Sequence, residues 1–390
     1  MNSPLLKRRS FLQTLSVSLG GMLSQKSYGD NRSRSIPGVN TSLARTQSPK
    51  IHTVLGPIDP DQLGATLMHE HAPLIDWSEL HDTQAADYQP RKAEFLDTTA
   101  RQLTAFHASL TRAQGPGAIV ECTPIRVGRY PRLMVELANR VPVHIIACTG
   151  FWCEAFAPQH PWALRLAAKK DGVRQLAQLY VQEIEKGMED PTGNWGERFT
   201  NIKVGIIKCA TSTHLQASER SCHLAAARAC LETGCPITTH TTNGGGLEEA
   251  ELFLKQGVAP HKIIIGHQGH MDDRIQENAH DYHRRIAELG CFVQFDRIGH
   301  ENYEIEKMTS HVKHLIDHGF ASQVLLGHDH VPFLYEKYEQ KDKPLKGWQG
   351  QDPDFTVITN QLVASLLGSG VTEKQVKQLM IGNPARALAF

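Results

Sequence analysis

Residues 234–267 read GCPITTHTTNGGGLEEAELFLKQGVAPHKIIIGH. Two short strand-like runs, Pro236–Thr239 and Lys262–Gly266, flank Leu247–Gln256, whose apolar residues recur at about the helical period. Gly234 and Gly257 stand where a helix must stop before the next strand begins. Each strand ends on a histidine, His240 or His267, one strand–helix unit apart.

The same alternation extends in both directions. Candidate strands are Gly64–Met68, Ala118–Cys122, Val143–Cys148, Ile202–Lys208, Pro236–Thr239, Lys262–Gly266, Cys291–Phe295 and Gln323–Leu326. Several are continuous Val/Ile/Leu runs, as expected of parallel strands covered on both faces. Ser218–Thr233, Asp273–Leu289 and Ile305–His318 add helical periodicity, and Gly290 and Gly319 add stop signals. Eight strands alternating with helices predict an α/β fold, a (β/α)₈ TIM barrel forming a single catalytic domain over residues 51–390. A doubly wound open sheet is the alternative, weakened because no Gly-x-Gly-x-x-Gly loop follows the first strand.

Composition is ordinary for a globular chain and allows one large core. The 390 residues are 40% hydrophobic and 21% charged, and 41 Lys+Arg balance 41 Asp+Glu. That balance argues against a nucleic-acid or membrane-surface partner. The eight cysteines form no C-x-x-C pair, and several lie in apolar runs, so they are expected to be buried thiols. At the amino end, Lys7-Arg8-Arg9-Ser10-Phe11-Leu12-Gln13 precedes a modestly apolar stretch, Leu15 to Leu23. Residues 1–29 therefore resemble a twin-arginine signal peptide, with Lys7 where Ser or Thr is usual, and export to the periplasm or beyond is expected. The apolar stretch is too short to span a bilayer. Residues 30–50 read as a polar linker.

The 21 histidines matter by position. In Leu67-Met68-His69-Glu70-His71, alternation along a strand sends His69 and His71 one way and Glu70 the other. Potential ligands then recur at strand ends: Lys208 after Gly205-Ile206-Ile207, His240, His267, and Asp329 after Leu325-Leu326-Gly327-His328. In a barrel these ends converge on the catalytic face. Lys208 needs its own account, because an ammonium cannot ligate a metal. Either CO₂ carboxylates the amine to an anionic carbamate able to bridge two metals, or Lys208 pairs with Asp329 or Glu121.

At this point the chain resembles the phosphotriesterase family (phosphotriesterase-like/lactonase group) of the amidohydrolase superfamily. The matching stretches are HEH (His69–His71), TGFW (Thr149–Trp152), GIIKCAT (Gly205–Thr211), ITTHT (Ile237–Thr241), IIIGH (Ile263–His267), QFDRIG (Gln294–Gly299), GHDH (Gly327–His330) and GNPAR (Gly382–Arg386). They run in family order across residues 51–390. The resemblance implies two divalent metal ions, zinc first, with manganese, cobalt or iron as substitutes. His69, His71 and Asp329 would hold the more buried ion, His240 and His267 the more exposed one, with carboxylated Lys208 and a hydroxide bridging them. Imidazole and oxygen donors suit such ions better than Mg²⁺ or Ca²⁺. A homodimer is common among such proteins.

The chemistry expected is hydrolysis of esters, lactones or related carboxyl esters first, with phosphotriesters as further substrates. The bridging hydroxide attacks, and Asp329 accepts its proton. Where organophosphate-cleaving relatives carry a relay aspartate, this chain has His270, which either shuttles the proton or lines the pocket. Trp152 matches a pocket aromatic, and Arg297 matches a position where lactone-cleaving relatives carry arginine. With Phe151 they are the expected substrate-binding residues, against loop packing for the aromatics and an ion pair with Asp296 or a nearby acid for Arg297. His328, beside Asp329, should face away and pack. Two other readings stand beside this one: a mononuclear deaminase-type barrel, and a non-catalytic barrel that only binds metal or ligand.

Overall fold

The computed structural model describes residues 48–76, 88–152, 161–194, 196–212, 214–242, 244–269, 278–300, 303–335 and 354–390. The leader, most of the linker and His270 lie outside the described residues. All eight expected strands form. They are β1 (Thr66–Glu70), β2 (Ala118–Glu121), β3 (His144–Gly150), β4 (Ile206–Ala210), β5 (Ile237–His240), β6 (Ile263–Ile265), β7 (Phe292–Phe295) and β8 (Val324–Leu326). Each pairs in parallel with the next in chain order, giving one eight-stranded sheet.

The two edges of that sheet meet, which makes a barrel. The Asp329 N–H donates to the His69 carbonyl at 2.8 Å, and the His71 N–H donates to the His330 carbonyl at 2.9 Å. Glu70 latches the seam: one carboxylate oxygen accepts from the His328 backbone N–H at 2.8 Å, the other from that of His330 at 3.0 Å. Side-chain alternation sorts the strands into two apolar layers. Met68, Val120, Ile146, Ile206, Ile264, Phe292 and Leu325 fill the lumen. Leu67, Ile119, Ile145, Ile207, Ile265, Val293 and Leu326 face the surrounding helices.

Those helices include α1 (Tyr88–Ser109), α2 (Pro131–Ala138), α3 (Gly172–Glu185), α4 (Ala217–Thr233), α5 (Gly246–Lys255), α6 (Ala279–Glu288) and α7 (Ile305–Asp317). Gly234 ends α4 as expected: at φ 77° it takes the left-handed conformation, and its N–H returns to the Cys230 carbonyl. An amino-terminal hairpin, Ile51–Thr53 with Gly56–Ile58, contributes Ile51 to the lumen cluster, where it joins Ala387 and Leu388 from the carboxyl end. Lys50 and Phe390 exchange both backbone hydrogen bonds at 2.9 Å, which ties the two ends of the folded body together. The seven described cysteines are buried, and none of them is in a disulfide. Among the described residues, no helix is long and apolar enough to cross a membrane.

Candidate metal centre

The site is built where strands end. On β4 the alternation runs Ile206 inward, Ile207 outward, Lys208 inward, so Lys208 is fully buried in the lumen mouth. Its Nζ lies 2.6 Å from His69 Nε2. No described carboxylate pairs with it, so neither of the ion pairs weighed from the sequence forms. Strict alternation would send His69 outward with Leu67. The β1–β2 register shifts between Leu67 and Glu70, and this irregularity turns His69 inward and Glu70 toward the seam. His267 would likewise follow Ile265 outward. Its backbone sits at φ 56° instead, a left-handed turn that redirects the ring.

The metal-ligating atoms of His69, His71 and Asp329 lie within 4.8 Å of one another. His71 Nε2 is 3.1 Å from Asp329 Oδ1, and His69 Nε2 is 3.7 Å from the same oxygen. His240 Nδ1 and His267 Nε2 face each other at 2.5 Å. All six expected ligands therefore come together. Burial holds His71 at about 4 and His267 at about 3, and pushes His240 well below the ordinary histidine value. The three rings are neutral near pH 7, the form that ligates metals. Burial raises the Asp329 carboxyl, but His267, the His71 hydrogen bond, Arg297 and His69 outweigh it and hold the group well below the usual carboxylate range.

The donor set fits divalent ions on a test internal to the protein: the nitrogens pointing away from the cluster are already engaged. His71 Nδ1 meets Thr123 Oγ1 at 2.9 Å. His267 Nδ1 meets Asp296 Oδ1 at 2.5 Å. His69 Nδ1 lies 2.7 Å from Gln294 Nε2 and 3.3 Å from Asp296 Oδ2. His69, His267 and Asp296 also bring ligating atoms together. Asp296 nonetheless lies behind the rings: Oδ2 accepts from the His267 N–H at 3.0 Å and from Gln294 at 2.7 Å. We read it as an anchor for two ligands and not as a ligand itself.

Sequence reasoning weighed Asp296 only as a partner for Arg297, met Gln294 only as the first residue of the QFDRIG stretch, and did not name Thr123. A signal for two of them existed, since Phe292, Gln294 and Asp296 share one face of β7. Glu121, expected at most to pair with Lys208, accepts instead from the Ala72 N–H at 3.3 Å and the Thr123 N–H at 3.1 Å. Burial pushes it up to about 8.

The expected pocket residues separate. Trp152 packs against the expected ligands, its ring centre 5.0 Å from that of His240 and 6.2 Å from that of His71. Phe151 joins the outer apolar layer, 6.2 Å from Tyr180. Arg297 has φ 61°, donates from Nε to Asp329 Oδ2 at 2.9 Å and from Nη1 to Tyr303 at 3.1 Å, and keeps 29% of its side chain exposed. Its acid partner is Asp329, not its neighbour Asp296. His328 packs away from the lumen as expected, between Glu70 (3.0 Å) and the Ile358 N–H (3.1 Å).

Comparison with known proteins places these features in a lineage. The family model described as "Phosphotriesterase family" matches residues 49–388. A phosphotriesterase homology protein of Mycobacterium tuberculosis is 28% identical over 344 residues, covering 87% of this chain and 97% of that protein. An N-acetyltaurine hydrolase of Danio rerio is 27% identical over 378 residues, covering 87% and 98%. A solved structure, described as organophosphate hydrolysis activity engineered from a weak promiscuous lactonase template, superposes with TM-score 0.72 at 27% identity, covering 87% and 99%.

Proposed function

We infer the chemistry of this chain from one premise, that it belongs to the phosphotriesterase family. It is accordingly a metal-dependent hydrolase of small molecules. The finer reading is a binuclear ester hydrolase acting on lactones or related carboxyl esters first, with phosphotriesters as further substrates. The observation that carries it is the convergence of His69, His71, Lys208, His240, His267 and Asp329 at one barrel mouth, with Trp152 and Arg297 beside them.

In this reading two divalent ions, zinc first, are held by those six residues, Lys208 joining as its carbamate. When bound they supply Lewis acidity and lower the pKa of water. Every other role falls to the chain. Asp329 takes the proton released from water at a carboxylate oxygen, and its low basicity keeps it ionised and ready. Arg297 holds Oδ2 while His71 meets Oδ1, so the carboxylate cannot swing. Trp152 excludes water beside His240 and His71, with Phe151 behind it. Arg297, part exposed, meets the substrate from the rim, and His270 carries the proton outward or lines the pocket.

Amide hydrolysis is the second reading, favoured by the N-acetyltaurine hydrolases among the relatives. Export remains part of the proposal, supported by Arg8-Arg9 and the apolar run after them.

The test is a hydrolysis screen of metal-loaded protein against lactones, carboxyl esters, phosphotriesters and N-acyl aminosulfonates. Lactone turnover with the largest kcat/KM is expected. Turnover of the amides alone would replace the ester reading with the second, and no turnover in any class would overturn both. Metal analysis after dialysis with bicarbonate should find about two ions per chain, lost in Lys208→Ala. Unchanged metal content in that variant would remove Lys208 from the site.

A further inference from the structure

Three of the expected histidine ligands are steadied at the ring nitrogen facing away from the cluster: His71 by Thr123, His267 by Asp296 and His69 by Gln294. His240 is braced differently, from behind and through its backbone. On β5 the alternation that sends Ile237 outward sends Thr239 and Thr241 outward too, with His240 between them facing the lumen. The hydroxyls of Thr239 and Thr241 lie 2.8 Å apart. Thr241 Oγ1 donates to Glu249 Oε2 on α5 at 2.7 Å, so the Thr239 hydroxyl is the donor to Thr241. Thr239 Oγ1 in turn accepts from the Gly266 N–H at 3.1 Å, one residue before His267. The other Glu249 oxygen, Oε1, meets His223 Nε2 of α4 at 3.0 Å, and His223 Nδ1 donates to the Glu219 carbonyl at 2.8 Å.

The chain of hydrogen bonds runs one way. Gly266 donates to Thr239, Thr239 to Thr241 and Thr241 to Glu249, so the carboxylate is the acceptor that ends it. Thr239, Glu249 and His223 are fully buried. Their surroundings are otherwise apolar: Ile237, Ile265 and Ala226 belong to the outer layer, and the His223 ring stacks on Phe253 at 5.3 Å. Packing alone calls for no carboxylate there, and burying one is costly unless both oxygens are engaged. What the polar chain adds is direction. It ties the backbone on both sides of His240, and the peptide entering His267, to one point on α5. The two strands also approach closely here, because a Cβ on Gly266 would strike the Thr239 carbonyl. His240 Nδ1 and His267 Nε2 face each other at 2.5 Å. Metal–ligand distances tolerate only about 0.2 Å of error, so the relative placing of these two strand ends matters.

We propose that Glu249 is a positioning residue for the more exposed metal ion: through Thr241 and Thr239 it sets the spacing of His240 and His267, while His223 holds it from α4. The inference rests on the binuclear reading above. It singles out one ion of the two, because His69, His71 and Asp329 have their own supports. It also says which substitutions the site tolerates. A glutamine at 249 keeps the chain whole, since its amide oxygen accepts from Thr241 and its N–H donates to His223 Nε2, the Nδ1 hydrogen being already given to Glu219. A leucine there fills similar space and ends the chain without an acceptor. A serine at 241 keeps the hydroxyl, and a valine keeps the shape without it.

The test reads metal retention and not turnover. Full-length protein is loaded with Zn²⁺ in bicarbonate buffer, titrated with a chelator and counted by elemental analysis. Glu249→Leu and Thr241→Val should keep one ion as wild type does and hold the other about 10–100-fold more weakly, the usual cost of losing a ligand's outer support. Glu249→Gln and Thr241→Ser should hold both ions as wild type does. General destabilisation would not single out one ion, nor be rescued by restoring one hydrogen bond. Unaltered retention of both ions in folded Glu249→Leu, or equal loss in Glu249→Gln and Glu249→Leu, overturns the positioning role. Should Glu249→Leu fail to fold, Thr241→Val against Thr241→Ser decides: weaker retention in the valine variant alone supports the chain, and unaltered retention in it refutes the chain. Wild type holding no ion would sink the metal reading itself, whereas wild type holding two, with the variants unaffected, sinks the positioning role alone.

Discussion

At Asp329 one carboxylate serves three partners. His71 and His69 approach Oδ1, Arg297 holds Oδ2, and the residue itself sits at φ 53°. Few side chains combine a ligand's charge with a proton acceptor's reach, so Asp329→Asn is the sharpest single change. It keeps the shape and removes the basicity. Turnover should fall by roughly 10²–10⁴, the range for losing a positioned base, with the circular dichroism spectrum unchanged; a variant retaining near-wild-type kcat would end the proton-acceptor role. Asp296 acts one step behind, through His267 and His69. Asp296→Asn should weaken metal retention about 10–100-fold, the usual cost of loosening a ligand's anchor. Competition with a chelator measures this, and unaltered retention would reduce Asp296 to packing. The six expected ligands were legible in the sequence because each is a polar residue ending an apolar run. The roles of Gln294, Asp296 and Thr123 were not, because those roles depend on which ring nitrogen each meets, and the shared β7 face of Gln294 and Asp296 showed only where two of them point.

Among elements, β1, β6 and β8 show how a strand end becomes a site. Regular alternation would point His69 and His267 at the helices. A register shift in β1 and a left-handed residue at the end of β6 return them to the lumen. Arg297, after β7, and Asp329, after β8, also have positive φ, so three non-glycine residues at this mouth are held in a conformation costing of order 1–3 kcal/mol each. Such strain persists only where surrounding packing enforces it. Gly150, ending β3 at φ 112°, is the counterpart where only glycine fits: an added Cβ would strike the Lys208 carbonyl oxygen on β4. Gly150→Ala should therefore cost roughly 2–4 kcal/mol from strain and overpacking together, and should displace Lys208. Chemical denaturation checks the first outcome, and metal content of the folded fraction checks the second. A loss below about 1 kcal/mol would show that the β3–β4 contact relaxes freely.

Across the whole molecule, buried titrating groups set the acid limit. Burial takes both His328 and His330 to about 3 and His311 to about 4, all from an ordinary 6.5. Their folded values lie below their unfolded ones, so the unfolded chain binds more protons from pH 6.5 downward and stability falls as pH falls. Glu70 and Glu121, raised by burial, oppose this trend above their ordinary value of 4.5. Below 4.5 that opposition fades, and the depressed Asp296 and Asp329 add to the loss. The Tm of metal-stripped protein should drop most steeply below about pH 4.5; a Tm flat from pH 7 to 3 would contradict the burial argument. The sequence by itself determined the barrel, its eight strands and the six residues at its mouth, because period and strand-end position are local properties that one chain displays in order. Tertiary structure alone decided how β1 meets β8 through Glu70, that Asp329 and not Asp296 takes Arg297, that Trp152 faces the expected ligands while Phe151 packs behind, and that Glu249 reaches the backbone beside His240 through Thr241 and Thr239. Those outcomes depend on register shifts, left-handed turns and contacts between distant segments, which a periodic pattern does not encode.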